Sequence, residues 1–212
     1  LMWATVGIHP TDPPAADKLD QTFRELEKLA RRPKTVAIGE GGLDYFHVEN
    51  SEDKKRQIEI FERHIELAKI VQKPLMIHCR PSADTQDAYK DILQILNRKL
   101  EAKSHKLSGN IHFFAGDRPT AKKFLDLGFT LSFTGVLTFT RDYDEVIKNV
   151  PADMFMVETD APYVTPVPYR GKRNEPTYVL ETLKRVAEIR GISPEEVARL
   201  TTATAQRVFA LS

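Results

Sequence analysis

"TVAIGEGGLDYF", residues 35–46, decides how the rest of the chain is read. Val36-Ala37-Ile38 is a short apolar run bounded by Gly39, which predicts a buried strand. Where the run stops stands one carboxylate, Glu40, followed by Gly41 and Gly42. A strand that needed solubility would spread its charges. A single acid at a strand tip must instead be offset by something that binds it. Glycines on both sides leave room for a close approach.

The same beat runs along the chain. Strands are predicted over Leu1–Ile8, Thr35–Gly39, Pro74–His78, Gly109–Phe114, Phe129–Phe133 and Met154–Glu158. Between them apolar residues recur at three- and four-residue spacing, as in Phe23, Leu26 and Leu29, or Ile58, Phe61, Ile65 and Ala68. Tyr89, Ile92, Leu93 and Leu96 mark a third helix, and Phe124, Leu125 and Leu127 a fourth. Two more are predicted over Pro176–Arg190 and Pro194–Leu200. Ser193-Pro194-Glu195-Glu196 supplies an N-cap, a first-turn proline and acids that suit the helix dipole.

Apolar strands alternating with helices imply a parallel sheet covered by helices, either an open doubly wound sheet or a (β/α) barrel. The strand ends choose between them. Ile8 leads to His9, Ile38 to Glu40, Ile77 to His78, Ile111 to His112, and Val157-Glu158 to Asp160. Reactive groups at the tips of so many strands mark the top of a barrel. The expected fold class is α/β, a TIM-type (β/α) barrel with about six of eight strand–helix units present. Residues 1–212 then form a single domain that is incomplete at its N-terminus, short of two units and on the order of 50 residues.

Bulk properties narrow the function. The net charge is +1, so no global basic field draws in a polyanion. Local arginines or a bound metal must supply that attraction. Cys79 is the single cysteine, which excludes an internal disulfide and fits a reducing, cytoplasmic location. No apolar run approaches the roughly 18 residues that span a membrane. A monomer is the default expectation.

Glu40, His78, His112 and Asp160 read as one set of potential metal ligands. Two imidazoles with carboxylates suit zinc, manganese or a similar divalent ion, and one carboxylate can bridge two ions. Glu40 would be that bridge, with its flanking glycines admitting backbone and ion. Each residue has a plainer reading. A histidine at a strand end can be a hydrogen-bonded rim residue, Glu40 an ion-pair partner of Arg80, and Asp160 a turn or capping aspartate.

At these residues the sequence resembles the TatD family of metal-dependent hydrolases. "VGIHPTD" (6–12), "AIGEGGLDY" (37–45), "PLMIHCR" (74–80), "IHFFAGD" (111–117), "VETDAPYVTP" (157–166) and "RGKRNEP" (170–176) follow its motif series in order. The resemblance implies an amidohydrolase-type (β/α)₈ barrel with one or two divalent ions (Mg, Mn or Zn), and many members are described as deoxyribonucleases. It implies that Glu40 bridges metals, that His78 and His112 are ligands, and that Asp160 binds metal and orients the attacking water. His9 would line the site near the substrate phosphate, with Arg80 and the Arg170–Asn174 loop, including Arg173, at its mouth. One departure is large. The family begins with an Asp-x-His-x-His segment, and none occurs here: the histidines are His9, His47, His64, His78, His105 and His112. A smaller one is Phe113 and Ala115, where the family often has Cys and Ser.

The expected function is therefore divalent-metal-dependent hydrolysis of phosphodiester bonds in single-stranded DNA, as a 3′ exonuclease. Asp160 and Glu40 are the expected catalytic residues. His9, Arg80 and Arg173 are the expected substrate contacts, with Tyr45, Phe46 and Phe113 available to stack on a base. Two alternatives remain. One is a deacylase acting on an ester or amide such as mischarged aminoacyl-tRNA. The other is an inactive fragment with a residual metal site. A His78–Cys79 nucleophile pair is set aside, since neighbouring strand residues face opposite sides.

Overall fold

The computed structural model describes residues 2–48, 50–100 and 107–211. Leu1 and His105 lie outside them. The described residues form two compact units, one of residues up to Ile111 together with Val208–Leu211, the other of His112–Arg207.

In the first unit, β1 (Ala4–Val6), β2 (Thr35–Asp44), β3 (Leu75–Arg80) and β4 (Gly109–Ile111) pair in chain order, all parallel. Helices α1 (Leu19–Ala30), α2 (Ser51–Val71) and α3 (Asp87–Leu100) make the crossovers that parallel pairing requires. α2 begins where the Asn50 side chain accepts from the backbone N–H groups of Glu52 and Asp53, at 2.9 and 3.0 Å. Its buried stripe holds Ile60, Phe61, His64, Ile65, Leu67 and Ala68. Each of its fully buried large apolar side chains contributes about 1.5–3 kcal/mol.

The second unit carries α4 (Arg118–Asp126), β5 (Thr130–Phe133), α5 (Asp144–Asn149), β6 (Phe155–Val157), α6 (Val179–Arg190) and most of α7 (Pro194–Phe209). β5 and β6 are parallel. Phe114 sits edge-on to Phe124 and Phe133 in its core. Asp117 caps α4, and Ser193 caps α7 ahead of Pro194 as its sequence predicts.

All six predicted strands are present, with changed limits. The important change is at β2, which does not end at Gly39. Its ladder continues along β3, pairing Gly41 with Ile77, Gly42 with His78 and Asp44 with Arg80. Glu40 therefore lies inside a strand rather than at its tip. The glycines serve strand packing: a Cβ on Gly39 would meet the Met76 carbonyl, and one on Gly42 the His78 carbonyl. A Cβ on Gly41 would lie 3.1 Å from the His64 ring. The close approach they permit is that of β3 and α2. α5 was not predicted, being too short to show a period. Among the described residues no helix is long and apolar enough to cross a membrane.

Candidate metal centre

β3 alternates strictly. Leu75, Ile77 and Cys79 are buried on one face, while His78 and Arg80 share the other. Cys79 is thus a packed thiol, its pKa pushed up by burial and by the carboxylates of Asp87, Asp44 and Asp91. His78 points into a group of three potential ligands from the first unit. Its Nδ1 lies 2.7 Å from Glu40 Oε1 and 3.3 Å from His9 Nε2. His9 Nε2 is 3.6 Å from the same Glu40 oxygen. These donor atoms all lie within 4.8 Å of one another.

The set fits a divalent ion. Ligand atoms about 2.0–2.1 Å from zinc stand roughly 3–3.5 Å apart. The His9 distances already match, and the Glu40–His78 pair needs to open by about half an ångström. Two imidazoles and one carboxylate are a common donor set for such ions. His9 was expected to face substrate; the structure puts its Nε2 among the ligand atoms, with Nδ1 beside the Thr11 hydroxyl at 2.7 Å.

The other nitrogen of His78, Nε2, is 3.1 Å from Asp44 Oδ2. Asp44 is buried and also takes the His47 backbone N–H and ring. Burial alone would raise its pKa, but hydrogen bonds from His78 and His47 hold it at about 2. For His78, burial pulls the pKa down, yet bonds and charge from Asp44 and Glu40 outweigh it and leave the ring above its usual value. Sequence reading missed Asp44. The signal was there, an acid between Leu43 and Tyr45 in an apolar run, which needs a partner when buried.

In the second unit, His112 Nδ1 is 2.6 Å from Glu158 Oε2, and His112 Nε2 is 3.4 Å from Asp160 Oδ1. Glu158 Oε1 accepts from the Phe113 backbone N–H at 2.7 Å and from the Ser132 hydroxyl at 2.6 Å. Phe113 has φ of +47°, a left-handed conformation uncommon for a bulky residue. Asp160 is also a turn residue, its carbonyl accepting from Tyr163 N–H at 2.7 Å.

The proposed substrate contacts divide. Arg80 lies with its guanidinium 4.1 Å over the exposed Phe46 ring, not on Glu40. Tyr45 cannot stack on a base: it is buried, and its hydroxyl donates to Asp91 at 2.7 Å. Phe113 is half-buried beside His112. Arg173 is exposed on a loop whose next residue, buried Asn174, donates to the Tyr163 carbonyl at 2.6 Å.

Comparison with known proteins identifies the family. The family model described as TatD related DNase matches residues 1–210. The chain is 40% identical over 205 residues to the uncharacterized metal-dependent hydrolase YcfH of Escherichia coli (strain K12), covering 96% of this chain and 72% of YcfH. It is 33% identical to a protein of Erwinia billingiae (strain Eb661) named 3′-5′ ssDNA/RNA exonuclease TatD, over 99% of this chain and 78% of that one. Among solved structures, YjjV, a TatD homologue from Escherichia coli K12, matches 99% of this chain and 77% of its own with a TM-score of 0.84 at 23% identity. That likeness shows the fold, α/β of the TIM-type barrel kind. With a family match over nearly every residue and a relative 40% identical over 96% of this chain, the chain belongs to the TatD family of metal-dependent hydrolases.

Proposed function

We propose that this hydrolase is a nuclease that removes nucleotides from the 3′ end of single-stranded DNA. The observation that carries the reading is the grouping of His9 Nε2, Glu40 Oε1 and His78 Nδ1, a donor set suited to a divalent ion. The Erwinia billingiae relative, named as a 3′-5′ ssDNA/RNA exonuclease, supports the choice of substrate. Bound there, a divalent ion supplies positive charge for a phosphate and lowers the pKa of water from 15.7 toward about 7.

The chain's own residues do the rest. Glu40 and His78 hold the ion, together with His9. In the second unit His112 and Asp160 are the proposed ligands, and Asp160 takes the proton of the attacking water. Arg80 follows His78 by two residues on the same face of β3, about 6.6 Å further along the strand. From there its guanidinium can pair with a phosphate. The Phe46 ring beneath it offers an apolar face on which any base can stack. Arg173 is the proposed contact from the basic loop.

The test is release of nucleotides from labelled single-stranded DNA with Mg²⁺, Mn²⁺ or Zn²⁺, against a chelator and against Glu40→Gln. Metal-dependent release that Glu40→Gln lowers by at least about 100-fold is expected, given the charge it removes from the donor set. Release that continues in chelator, or in a folded Glu40→Gln at the full rate, would reject the reading. Turnover of acyl esters with no nucleotide release would favour the deacylase instead.

A further inference from the structure

Each unit carries an exposed phenylalanine with an arginine lying over its ring. In the first it is Phe46, 52% exposed, with the Arg80 guanidinium 4.1 Å from the ring centre. In the second it is Phe139, 43% exposed, with the Arg170 guanidinium also at 4.1 Å. We propose that Phe139 and Arg170 form a further subsite for single-stranded DNA, at which a base stacks on the ring and the guanidinium pairs with a backbone phosphate. The inference rests on the nuclease reading above and concerns the second unit alone.

The two residues come from separate stretches that are tied together. Phe139 closes the 3₁₀ turn Gly135–Thr138, its backbone N–H donating to the Val136 carbonyl at 3.1 Å. Arg170 lies on the loop after β6, and its Nη1 donates to the Thr165 carbonyl at 2.9 Å. Thr138 joins turn and loop. Its hydroxyl accepts the Val167 N–H at 2.9 Å and donates to the Gly135 carbonyl at 2.7 Å. Gly135 lets the two stretches touch, since a Cβ there would lie 2.9 Å from the Val164 carbonyl oxygen. Within the loop, the Thr165 hydroxyl donates to the Lys172 carbonyl at 2.5 Å and the Asn174 amide to the Tyr163 carbonyl at 2.6 Å. A ring held this way loses little freedom when a ligand stacks on it.

The chemistry of the pair suits a nucleotide. Every base has a face that can stack on an open ring, and an arginine beside the ring adds to the attraction. The bond to Thr165 uses one of the five N–H donors of the guanidinium, so two others can grip a phosphate together. The surrounding charge has the matching sign. Arg141, Arg170, Lys172 and Arg173 are exposed, against Asp142 and Glu175. The Asp142 carboxylate accepts from the Thr140 hydroxyl at 2.6 Å. Such a balance favours a polyanion over a neutral apolar partner.

Fluorescence anisotropy with labelled oligothymidylate, in chelator so that nothing is cleaved, tests this. Phe139→Ala and Phe139→Leu should each weaken binding about tenfold, because both lose the stacking face. Phe139→Trp should bind at least as tightly as the unaltered chain. Leucine keeps the apolar bulk, so a ring that served packing alone would tolerate it. Arg170→Ala should flatten the log–log salt dependence by about 0.7. A DNA duplex of the same length, its bases already stacked, should compete poorly. Full affinity in Phe139→Leu, equal competition by the duplex, or no binding by the unaltered chain would overturn the subsite. If Phe139→Ala does not fold, the leucine and tryptophan variants decide. Metal-dependent release of nucleotides by the unaltered chain is scored separately. Release from a chain whose Phe139 variants bind normally would keep the nuclease and overturn the subsite. Stacking-dependent binding by a chain that releases nothing would uphold the subsite and overturn the nuclease.

Discussion

Lowering the pH should unfold this protein through one buried imidazole. His64 on α2 is wholly buried, edge-on to Phe23 with ring centroids 5.2 Å apart. Its Nε2 accepts the Ile8 N–H at 2.9 Å, and its Nδ1–H donates to the Ile60 carbonyl at 2.8 Å. Both nitrogens are used, and only the neutral ring can use them this way. Burial drives the pKa from 6.5 to about 4, with the Ile60 bond opposing and the Arg63 charge assisting. Between those values the unfolded chain binds the extra proton and the folded chain does not. The contribution to stability is thus present above about pH 6.5 and is lost as pH falls toward 4. At about 1.4 kcal/mol per unit, the gap is worth about 3 kcal/mol, a large share of the roughly 5–15 kcal/mol that holds a domain folded. Asp44, with its pKa at about 2, gives up its share mostly at lower pH. Urea unfolding across this range, in chelator so that metal linkage does not enter, should show the unaltered chain losing more stability than His64→Gln. Glutamine keeps one acceptor and one donor but does not titrate. Parallel curves for the two proteins would refute the reasoning.

Other outcomes follow from the same geometry. Arg80→Ala should raise KM for single-stranded DNA about tenfold, as loss of one exposed charge-assisted contact does. It should also flatten the salt dependence of binding by about 0.7 in log–log slope, so an unchanged slope in filter binding would remove Arg80 from the phosphate. Gly42→Ala places a methyl against the His78 carbonyl at a φ of +153°. It should lower stability by at least about 3 kcal/mol in urea and weaken Mn²⁺ binding as β3 shifts. Because Asp44 and Glu40 keep His78 protonated above its ordinary range despite its burial, a metal must displace that proton. Mn²⁺ affinity should therefore climb with pH and level off only above 6.5, as calorimetry at several pH values would show.

What could be read from sequence was whatever is local. Apolar runs such as Val36-Ala37-Ile38 and Met76-Ile77 announce strands because a buried strand must be apolar on both faces. The helix periods and the cap at Ser193 are equally local. Strand ends are not, since a ladder stops where its partner stops. β2 reaches Asp44 because β3 reaches Arg80, and nothing in residues 39–44 could say so. The glycines around Glu40 are expected to admit backbone and ion, and the backbone they admit is that of the neighbouring strand, with the His64 ring beside Gly41.

The candidate ligands were legible one residue at a time, but their environments were not. Glu40 and His78 are 38 positions apart, and His112 and Glu158 are 46 apart. Such pairings depend on which strands become neighbours. The same holds for His64, whose ring looks in sequence like one more polar residue on an amphipathic helix and proves to tie Ile8 to α2. One rule would have narrowed the search. An ionisable residue inside an apolar strand must be paid for by a partner of opposite or complementary character. Applied to Asp44 and Glu158, it requires a donor nearby. The histidines on the adjoining stretches are the natural ones. A candidate ligand imidazole is then better read together with the acids that face its two nitrogens than by itself.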